Sequence, residues 1–428
     1  RVPSMRDLAR QLGVSRKVVA DAYAQLAAEG YVTLRQGARP HISRTVAGSA
    51  APAVEAVPAP ARARYDFRPS TPDVSTFPRA SWLRSLRAAL ATMTDADLGY
   101  GDPGGVAVLR TALADYLGRV RGVAAAPEHI VVTSGFWQGL GLVCRALADT
   151  GARRIAFEDP SHPEPRSIAT HAGLAVVPVE VDDGGVRVDA LVSAGAHAVL
   201  LTPAHEDPAG AVLEGERRAA LVAWLRASGA FAIEDDYDAE FRYDRAAVGA
   251  LQGLDPDRVI YAGSTSKTLA PALRLGWLVV PQSLLEAVTD AKRLADQGSP
   301  RIAQFAFADF LARGELDRHL RRMRARYRAR RDVMVAALAG ALPEATVRGI
   351  AAGLHAIVEL PAGDDEQAIR DEARQRGIAL AILDSYRIDP RHRSPTLLLG
   401  YGQVSEPAIQ AGISELAAAV HTARARLS

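Results

Sequence analysis

The chain has 428 residues, of which 48% are hydrophobic and 23% are charged, and its formal net charge is +2. This length predicts at least two folding units, and the composition excludes collagenous, wholly disordered and small disulfide-built proteins. No apolar run approaches the roughly 18 to 20 residues of a membrane-spanning helix, and no secretory signal is recognisable. We therefore expect a cytoplasmic protein without a membrane partner. Its single cysteine, Cys144, lies in an apolar stretch typical of a core, and no metal site is predicted.

Residues 1–45 form a small basic unit, with eight basic and three acidic side chains. One helix is predicted from Met5 to Leu12, and a second begins after Ser15, with Gly13 ending the first. The residues expected to face inward are Leu8, Ala9 and Leu12 in the first helix and Val18, Ala22, Tyr23 and Leu26 in the second.

Two strand-like segments follow the second helix, at 31–34 and 41–43, around Gln36 and Gly37. Two short helices and a hairpin predict a winged helix-turn-helix. Because about 45 residues rarely fold alone, we expect this unit to be truncated, with its first helix missing. A basic helix pair is also found in protein-binding modules. The residues expected to contact operator DNA are Ser15, Arg16, Lys17, Arg35 and Arg39.

The rest of the chain divides into three parts. Residues 46–64 are rich in Ala and Pro and are predicted to form a linker. Residues 65–281 alternate seven apolar strand-like runs with helical patterns, which predicts an α/β domain with a seven-stranded, mostly parallel sheet. Residues 282–428 are predicted to form a smaller α+β domain, whose Arg-rich run at 321–331 is typical of a solvated helix face.

The segment STSKTLAPALRLGW, residues 264–277, places two serines, a lysine and an arginine just after a predicted strand. Lys267 is one of three lysines in the chain. A partly desolvated lysine can form a Schiff base with pyridoxal phosphate, and Ser264, Ser266 and Arg274 could bind its phosphate. Taken alone, the segment also fits a solvated loop.

Two further segments follow predicted strands. In IEDDYDAEFRY, residues 233–243, Asp235 could pair with a pyridinium nitrogen and Tyr237 could reach a phenolic oxygen. A solvated acidic loop is the alternative. In VVTSGFWQGL, residues 131–140, a helix begins at Gly135, and its free N–H groups suit a phosphate.

In this order and at strand ends, these segments resemble the fold-type-I aminotransferase family. The basic helix-turn-helix narrows the resemblance to MocR-type (GabR-like) transcriptional regulators, a branch of the GntR winged-helix family. The resemblance also rests on four further segments: residues 3–32, LGYGDPGGVAVLR (98–110), EDPSHPEPR (158–166) and LTPAHEDPAG (201–210).

The resemblance implies that Lys267 forms an internal aldimine with pyridoxal 5'-phosphate, while Asp235 pairs with the ring nitrogen and Tyr237 with the phenolic oxygen. It implies a homodimer in which Tyr100 lies at the interface. The residues that complete the implied cofactor site are Ser264, Ser266, Arg274, Ser134, Gly135, Phe136 and His162.

Several positions depart from the family pattern. His162 stands where an aromatic residue usually covers the ring, and the usual HQxPTG reads His205 to Gly210 as HEDPAG. Phe136 and Trp137 replace smaller or polar residues. In the strand where aminotransferases usually carry a carboxylate-binding arginine stands Leu398, with Arg391 and Arg393 as possible substitutes.

The expected function is therefore a regulator that senses pyridoxal phosphate, or an amine or amino-acid effector, through Lys267. Turnover is not needed for this role, because an effector can act by shifting a conformational equilibrium. One alternative is a working aminotransferase with an accessory basic domain. Another is a DNA-binding scaffold whose cofactor pocket has decayed.

Overall fold

The structure is a computed structural model, and it describes residues 2–35, 38–43, 63–243, 248–389 and 394–427. The chain forms two compact units, Arg1–Arg62 and Ala63–Ser428. Nearly all of the predicted linker 46–64 lies outside the described residues, as do Gln36 and Gly37 of the wing and the substitute arginines Arg391 and Arg393.

The first unit has the predicted helix-turn-helix. Helix α1 is Met5–Leu12 and helix α2 is Arg16–Ala28. The turn between them contains Gly13 in the left-handed region, at φ 66°, and the Ser15 hydroxyl caps α2 by accepting a hydrogen bond from the Val18 N–H. Strands β1 (Val32–Thr33) and β2 (His41–Ile42) pair antiparallel and form the wing.

The core of this unit differs in part from the prediction. Ala9, Val19 and Tyr23 are buried, and the Tyr23 hydroxyl donates to the Pro3 carbonyl at 2.9 Å. Four residues predicted to face inward are exposed instead: Leu12, Val18, Ala22 and Leu26. The prediction was wrong at these positions because α2 presents the i, i+4 pair Val19 and Tyr23 to α1, which turns Val18 to the outside.

The second unit contains a large sheet of eight strands among the described residues, in the order β4-β11-β10-β9-β8-β5-β6-β7. Strand β11 is antiparallel to both of its neighbours, and β7 is antiparallel to β6. The strands are β4 Ile130–Thr133, β5 Arg154–Asp159, β6 Ala175–Asp182, β7 Gly185–Val186, β8 Ala198–Leu201, β9 Phe231–Asp236, β10 Val259–Ser264 and β11 Gly276–Val279.

The seven predicted strands are all present, and the eighth, β7, corrects the predicted strand number. It has only two residues and turns back on β6, with Val186 opposite Val181. A two-residue strand is too short to show an alternating pattern, so the sequence pattern misses it.

A smaller sheet has four strands among the described residues, in the order β12-β13-β16-β15, and β14 pairs with β3. Their bounds are β3 Tyr65–Asp66, β12 Thr346–Arg348, β13 His355–Glu359, β14 Ile378–Ala379, β15 Ala381–Ile382 and β16 Thr396–Gly400.

Helices pack around both sheets. They are α3 Arg79–Thr92, α4 Asp95–Leu98, α5 Ala107–Arg121, α6 Phe136–Asp149, α7 Pro163–His171, α8 Val188–Ala194, α9 Gly215–Ser228, α10 Gln282–Asp296, α11 Arg301–Ala312, α12 Glu315–Ala341, α13 Glu366–Gln375 and α14 Glu406–Leu427. Cys144 of α6 is buried in the core, as predicted. In the part of the chain that the structure describes, no helix has the length and apolar character needed to cross a bilayer.

The Arg-rich run at 321–331 lies within α12 and is mostly exposed, as predicted. Arg330 is an exception, since it is buried and donates to the Asp73 carboxylate at 2.8 Å. The Asp73 backbone N–H also donates a hydrogen bond to the Tyr327 hydroxyl of α12 at 2.9 Å. This side of α12 therefore anchors the N-terminal segment of the unit.

Candidate cofactor-binding site

Lys267 and Asp235 lie at the ends of two neighbouring strands. Asp235 is in β9, and Lys267 follows β10 by three residues. The two strands are parallel, with Ala262 opposite Asp235, so their carboxyl ends reach the same edge of the sheet. The Lys267 ammonium and the Asp235 carboxyl interact there electrostatically.

Burial changes the charge state of both groups. It lowers the pKa of Lys267, against the opposing effects of Asp207, Asp235 and Asp238. It raises the pKa of Asp235 well above its usual value, and Asp207 adds to that rise. A lysine with a lowered pKa holds more neutral, nucleophilic amine, while a cationic ring nitrogen beside Asp235 would stabilise its carboxylate.

A cradle for an anion lies at the start of α6. Gly135 precedes this helix at φ 94°, and a Cβ added to it would lie 3.2 Å from the Arg274 guanidinium. A Cβ on Gly276 would lie 2.9 Å from the Gly135 Cα, so neither glycine has room for a side chain. Within the described ranges, the Arg274 guanidinium has no hydrogen-bond or ion-pair partner, and only the backbone N–H of this residue is bonded, to the Pro271 carbonyl. A free guanidinium beside the N–H groups of a helix N-terminus suits a phosphate.

The serines predicted to bind phosphate differ in their surroundings. The Ser266 N–H donates to the Ser264 hydroxyl at 3.4 Å, so these two residues form a short turn after β10. The Ser134 N–H donates to Gln138 at 2.7 Å, and its hydroxyl lies 3.3 Å from that of Ser299. Ser134 therefore already has protein partners.

Phe136, His162 and Tyr100 occupy three different environments. The Phe136 side chain packs against the core beneath α6, which leaves its backbone to face the start of the helix. The His162 Nδ1 lies 2.6 Å from a Glu164 carboxylate oxygen, and its ring meets the Tyr386 ring edge-on at 5.6 Å. Tyr100 is 95% exposed. Their roles toward a cofactor stay predictions.

A buried group of polar side chains adjoins Tyr237. The His205 Nδ1 lies 2.9 Å from the Tyr237 hydroxyl and 2.9 Å from the Asp238 carboxylate. The His205 and His355 rings are 5.8 Å apart. The HEDPAG departure drew attention to His205 in the sequence, whereas nothing local marked Asp238 or His355.

Two buried carboxyl groups lie next to this group. Glu158 accepts hydrogen bonds from the Thr202 N–H and hydroxyl at 2.9 Å and 2.8 Å. Burial raises the pKa of Glu158 to about 7, and it raises the pKa of Glu206 well above its usual value, with Glu158 as the next cause. Among the described residues, Glu206 Oε1 has no hydrogen-bond partner. The neutral form of Glu206 is therefore favoured in the folded protein.

We expect Glu206→Gln to stabilise the protein at alkaline pH. The raised pKa of Glu206 contributes stability that is complete below about pH 4.5 and is lost as pH rises through the folded-state value. Glutamine stays neutral, so the variant should gain roughly 1 to 3 kcal/mol at pH 8 and little at pH 5. Unfolding by guanidinium at both pH values measures this, with the exposed Glu216→Gln as control. An equal effect at both pH values would contradict the prediction.

Leu398 is fully buried, so the strand position expected for a carboxylate-binding arginine is apolar. In β16 it lies between Ile357 of β13 and Ala381 of β15. It packs with Ile357, Leu383 and Tyr386. Strand β16 therefore offers a substrate carboxylate no cation.

The residues predicted to contact DNA lie on the surface of the first unit. Arg16 and Lys17 occupy the first turn of α2 and are exposed. Arg35 and Arg39 are exposed on either side of the wing residues that lie outside the described ranges. Ser15 uses its hydroxyl to cap α2, which leaves the backbone at the helix start to approach a phosphate.

The donor set fits pyridoxal phosphate. The site offers a lysine amine, a carboxyl group for a ring nitrogen, a tyrosine hydroxyl, and an anion cradle that a Cβ on Gly135 would obstruct. Lys267, Tyr237 and Gly135 follow strands of the same sheet, and Asp235 is the next-to-last residue of β9, so all four lie at the carboxyl edge of the sheet.

Comparison with known proteins identifies two families. The family described as Aminotransferase class I and II matches residues 73–393, and the family described as Bacterial regulatory proteins, gntR family, matches residues 1–42. The aminotransferase match covers most of the chain, and this fold implies dependence on pyridoxal phosphate.

Similar proteins include regulators and enzymes. The pyridoxine biosynthesis transcriptional regulator PdxR of Corynebacterium glutamicum is 33% identical over 98% of this chain and 91% of its own. The probable rhizopine catabolism regulatory protein MocR of Rhizobium meliloti is 30% identical over 98% of this chain and 89% of its own. An archaeal alanine:glyoxylate aminotransferase structure has a TM-score of 0.77 at 26% identity, covering 85% of this chain and 92% of its own.

Proposed function

Since the chain belongs to the MocR-type transcriptional regulators, we propose that pyridoxal phosphate at Lys267 controls its DNA binding. In these regulators a gntR-family DNA-binding domain is joined to a class I and II aminotransferase domain. The observation that carries the proposal is the meeting of Lys267 and Asp235 in a desolvated site beside the anion cradle at Gly135.

Each residue of the site has a distinct task in this proposal. Pyridoxal phosphate supplies an electrophilic carbonyl that exchanges between primary amines. Lys267 supplies the resident amine, and its lowered pKa favours the nucleophilic form. Asp235 holds a proton at the ring nitrogen, while Arg274 and the start of α6 bind the phosphate.

A regulator uses this exchange as a signal. With pyridoxal phosphate bound, an amine or amino-acid effector would compete with the Lys267 amine for the cofactor, and a freed Lys267 would change the charge and contacts of the site. If two conformations of the protein differ in affinity for that effector, its binding shifts their populations. Turnover is not required for this output.

The proposal includes a homodimer. Leu98, Tyr100 and Ile302 line one surface cavity and are exposed by 62%, 95% and 39%, and Leu294 nearby is 77% exposed. Large apolar side chains grouped on a surface are typical of an interface between subunits. A twofold dimer would present two DNA-binding units to a paired operator. Light scattering in the presence of pyridoxal phosphate tests this, and a monomer would contradict it.

The apolar surroundings of Leu398 support a regulator over a working aminotransferase. An amino-acid substrate is usually held by a bidentate arginine, and β16 provides none. Sustained conversion of an amino donor and a keto acid would favour the enzyme instead.

The direct test is operator binding by the full-length protein, with and without pyridoxal phosphate, while its visible spectrum is recorded. Salt-sensitive binding to its own upstream DNA that changes when the cofactor is added is the expected result. Cofactor uptake without specific DNA binding would contradict the regulatory role.

We expect Arg16→Ala to weaken operator binding about tenfold, the loss of one or two hydrogen bonds to a base or phosphate. Arg16 is exposed at the first turn of α2, where a recognition helix meets DNA. Fluorescence anisotropy with labelled operator measures the change, and cofactor uptake should be unaffected. Arg10→Ala is a matched control, because Arg10 is already paired with Asp7 at 2.8 Å. Normal operator affinity of the Arg16 variant would show that α2 is not the reading helix.

A further inference from the structure

His205 is buried between Tyr237 and His355, next to the proposed cofactor site. Its side chain is 2% exposed. The rings of His205 and Tyr237 stack with centroids 6.2 Å apart, and the centroid of the His355 ring lies 5.8 Å from that of His205. The Tyr237 hydroxyl and an Asp238 carboxylate oxygen both lie 2.9 Å from the same atom, His205 Nδ1.

These contacts determine where the protons lie. An ionised carboxylate only accepts hydrogen bonds, so Asp238 requires a proton on His205 Nδ1. The Tyr237 hydroxyl therefore cannot donate to that nitrogen and can only accept from it. Burial and Asp238, through its charge and a hydrogen bond, raise the pKa of Tyr237, so the hydroxyl keeps its proton. Because Asp238 also accepts from His205, a cofactor oxygen can compete with Asp238 for the Tyr237 proton. The argument holds for neutral and charged His205 alike, because Nδ1 carries a proton in both.

The surrounding backbone fixes the His205 ring in this position. A Cβ on Gly353 would lie only 2.3 Å from His205 Cε1, so the backbone of Gly353 packs directly against the ring. His355 is itself held, since its Nε2 lies 3.2 Å from the Pro208 carbonyl and donates to it. His205 therefore has little freedom to turn away from Tyr237.

We propose that His205 is a positioning residue, which together with Asp238 makes the Tyr237 hydroxyl a hydrogen-bond donor toward the phenolic oxygen of the cofactor. This inference rests on the proposed function, because it assumes that pyridoxal phosphate binds beside Tyr237. In this proposal His205 does not contact the cofactor and acts on it through the hydroxyl proton of Tyr237.

The prediction concerns the protonation of the lysine-linked cofactor. A hydrogen bond donated to the phenolic oxygen draws negative charge away from the nearby Lys267 nitrogen, and so lowers the pKa at which that nitrogen loses its proton. Loss of the donor should raise this pKa. The titratable and charged groups that face His205 are Tyr237, Asp238, Asp207, Arg242 and His355.

The experiment is a pH titration of the visible absorbance of the full-length protein loaded with pyridoxal 5'-phosphate. His205→Leu should raise the spectral pKa by about one unit, a tenfold change in the proton equilibrium. His205→Asn places an amide N–H near the position of Nδ1 and should restore most of the wild-type value. In a Tyr237→Phe background, His205→Leu should have no further effect, since the hydroxyl it orients is gone.

His205→Met provides a second route if His205→Leu does not fold. Methionine is flexible enough to fill the buried position, leaves the charges around Lys267 in place and carries no N–H, so it should shift the spectral pKa in the same direction. An unchanged spectral pKa in either variant, with normal cofactor uptake, would overturn this inference and leave the proposed function standing. A wild-type protein that takes up no pyridoxal phosphate would overturn the proposed function and this inference with it.

Discussion

Lys267→Ala is expected to abolish the visible absorbance of the lysine-linked cofactor while leaving the fold intact. Lys267 follows β10 in a turn and interacts electrostatically with Asp235, Asp207 and Asp238. Burial lowers its pKa, which increases the neutral fraction of its amine, the form able to attack a carbonyl. Alanine supplies no amine, and binding would then rely on the phosphate cradle and Asp235 alone.

Two further variants distinguish the role of the Lys267 amine from that of its positive charge. Lys267→Arg keeps a cation beside the carboxylates, but a guanidinium does not deprotonate and should give no absorbance either. Lys17→Ala removes a lysine from the DNA-binding unit and should leave the spectrum unchanged. Borohydride reduction followed by peptide mass spectrometry locates the linkage. Normal absorbance of Lys267→Ala would refute the assignment of this lysine.

The position of Lys267 and Asp235 was predictable because Asp235 lies at the end of a strand with a strong local pattern and Lys267 follows another. The strands around them are buried on both faces, which produces the continuous apolar runs of β9 and β10. Parallel neighbours in such a sheet end at one edge, so polar residues just after them meet. The sequence order of these motifs also indicated the family.

The parts that were not predictable depend on contacts between distant segments. His355 begins β13 in the smaller sheet, 150 positions after His205, and only the folded chain brings their rings together. The same holds for Arg330, whose partner Asp73 is 257 positions away. Local periodicity carries no information about such pairs.

The acidic surroundings of Lys267 show a second feature that the sequence alone does not predict. The sequence shows Glu206 and Asp207 beside each other, but their effect depends on desolvation, which only the fold provides. Burial raises the pKa of Glu206, whereas Asp207 acts on Lys267, Asp235 and Tyr237 as a neighbouring charge. The sequence pattern of a carboxylate-rich segment therefore predicts a solvated loop, whereas the structure places these carboxyl groups in the candidate cofactor site.

Arg274→Gln is expected to weaken pyridoxal phosphate binding about a hundredfold. Its guanidinium lies against Gly135 at the start of α6, and no described residue neutralises it, so its charge is available to a phosphate. Its backbone also adopts a left-handed conformation at φ 48°, which is unusual for a residue with a side chain. Loss of a charge-assisted pair of hydrogen bonds to a phosphate in a partly enclosed site costs about 2 to 3 kcal/mol.

Equilibrium dialysis or a cofactor titration followed by absorbance measures the change in affinity. Arg274→Lys keeps the charge without the planar pair of donors, and it should lie between the wild type and Arg274→Gln. Arg313→Gln, an exposed arginine just after α11, is the matched control and should bind normally. Because phosphate binding and the lysine linkage are separate contributions, the Arg274 variant should regain full absorbance at high cofactor concentration, whereas Lys267→Ala should not. Wild-type affinity in Arg274→Gln would place the phosphate elsewhere and leave the left-handed backbone of Arg274 without a binding role.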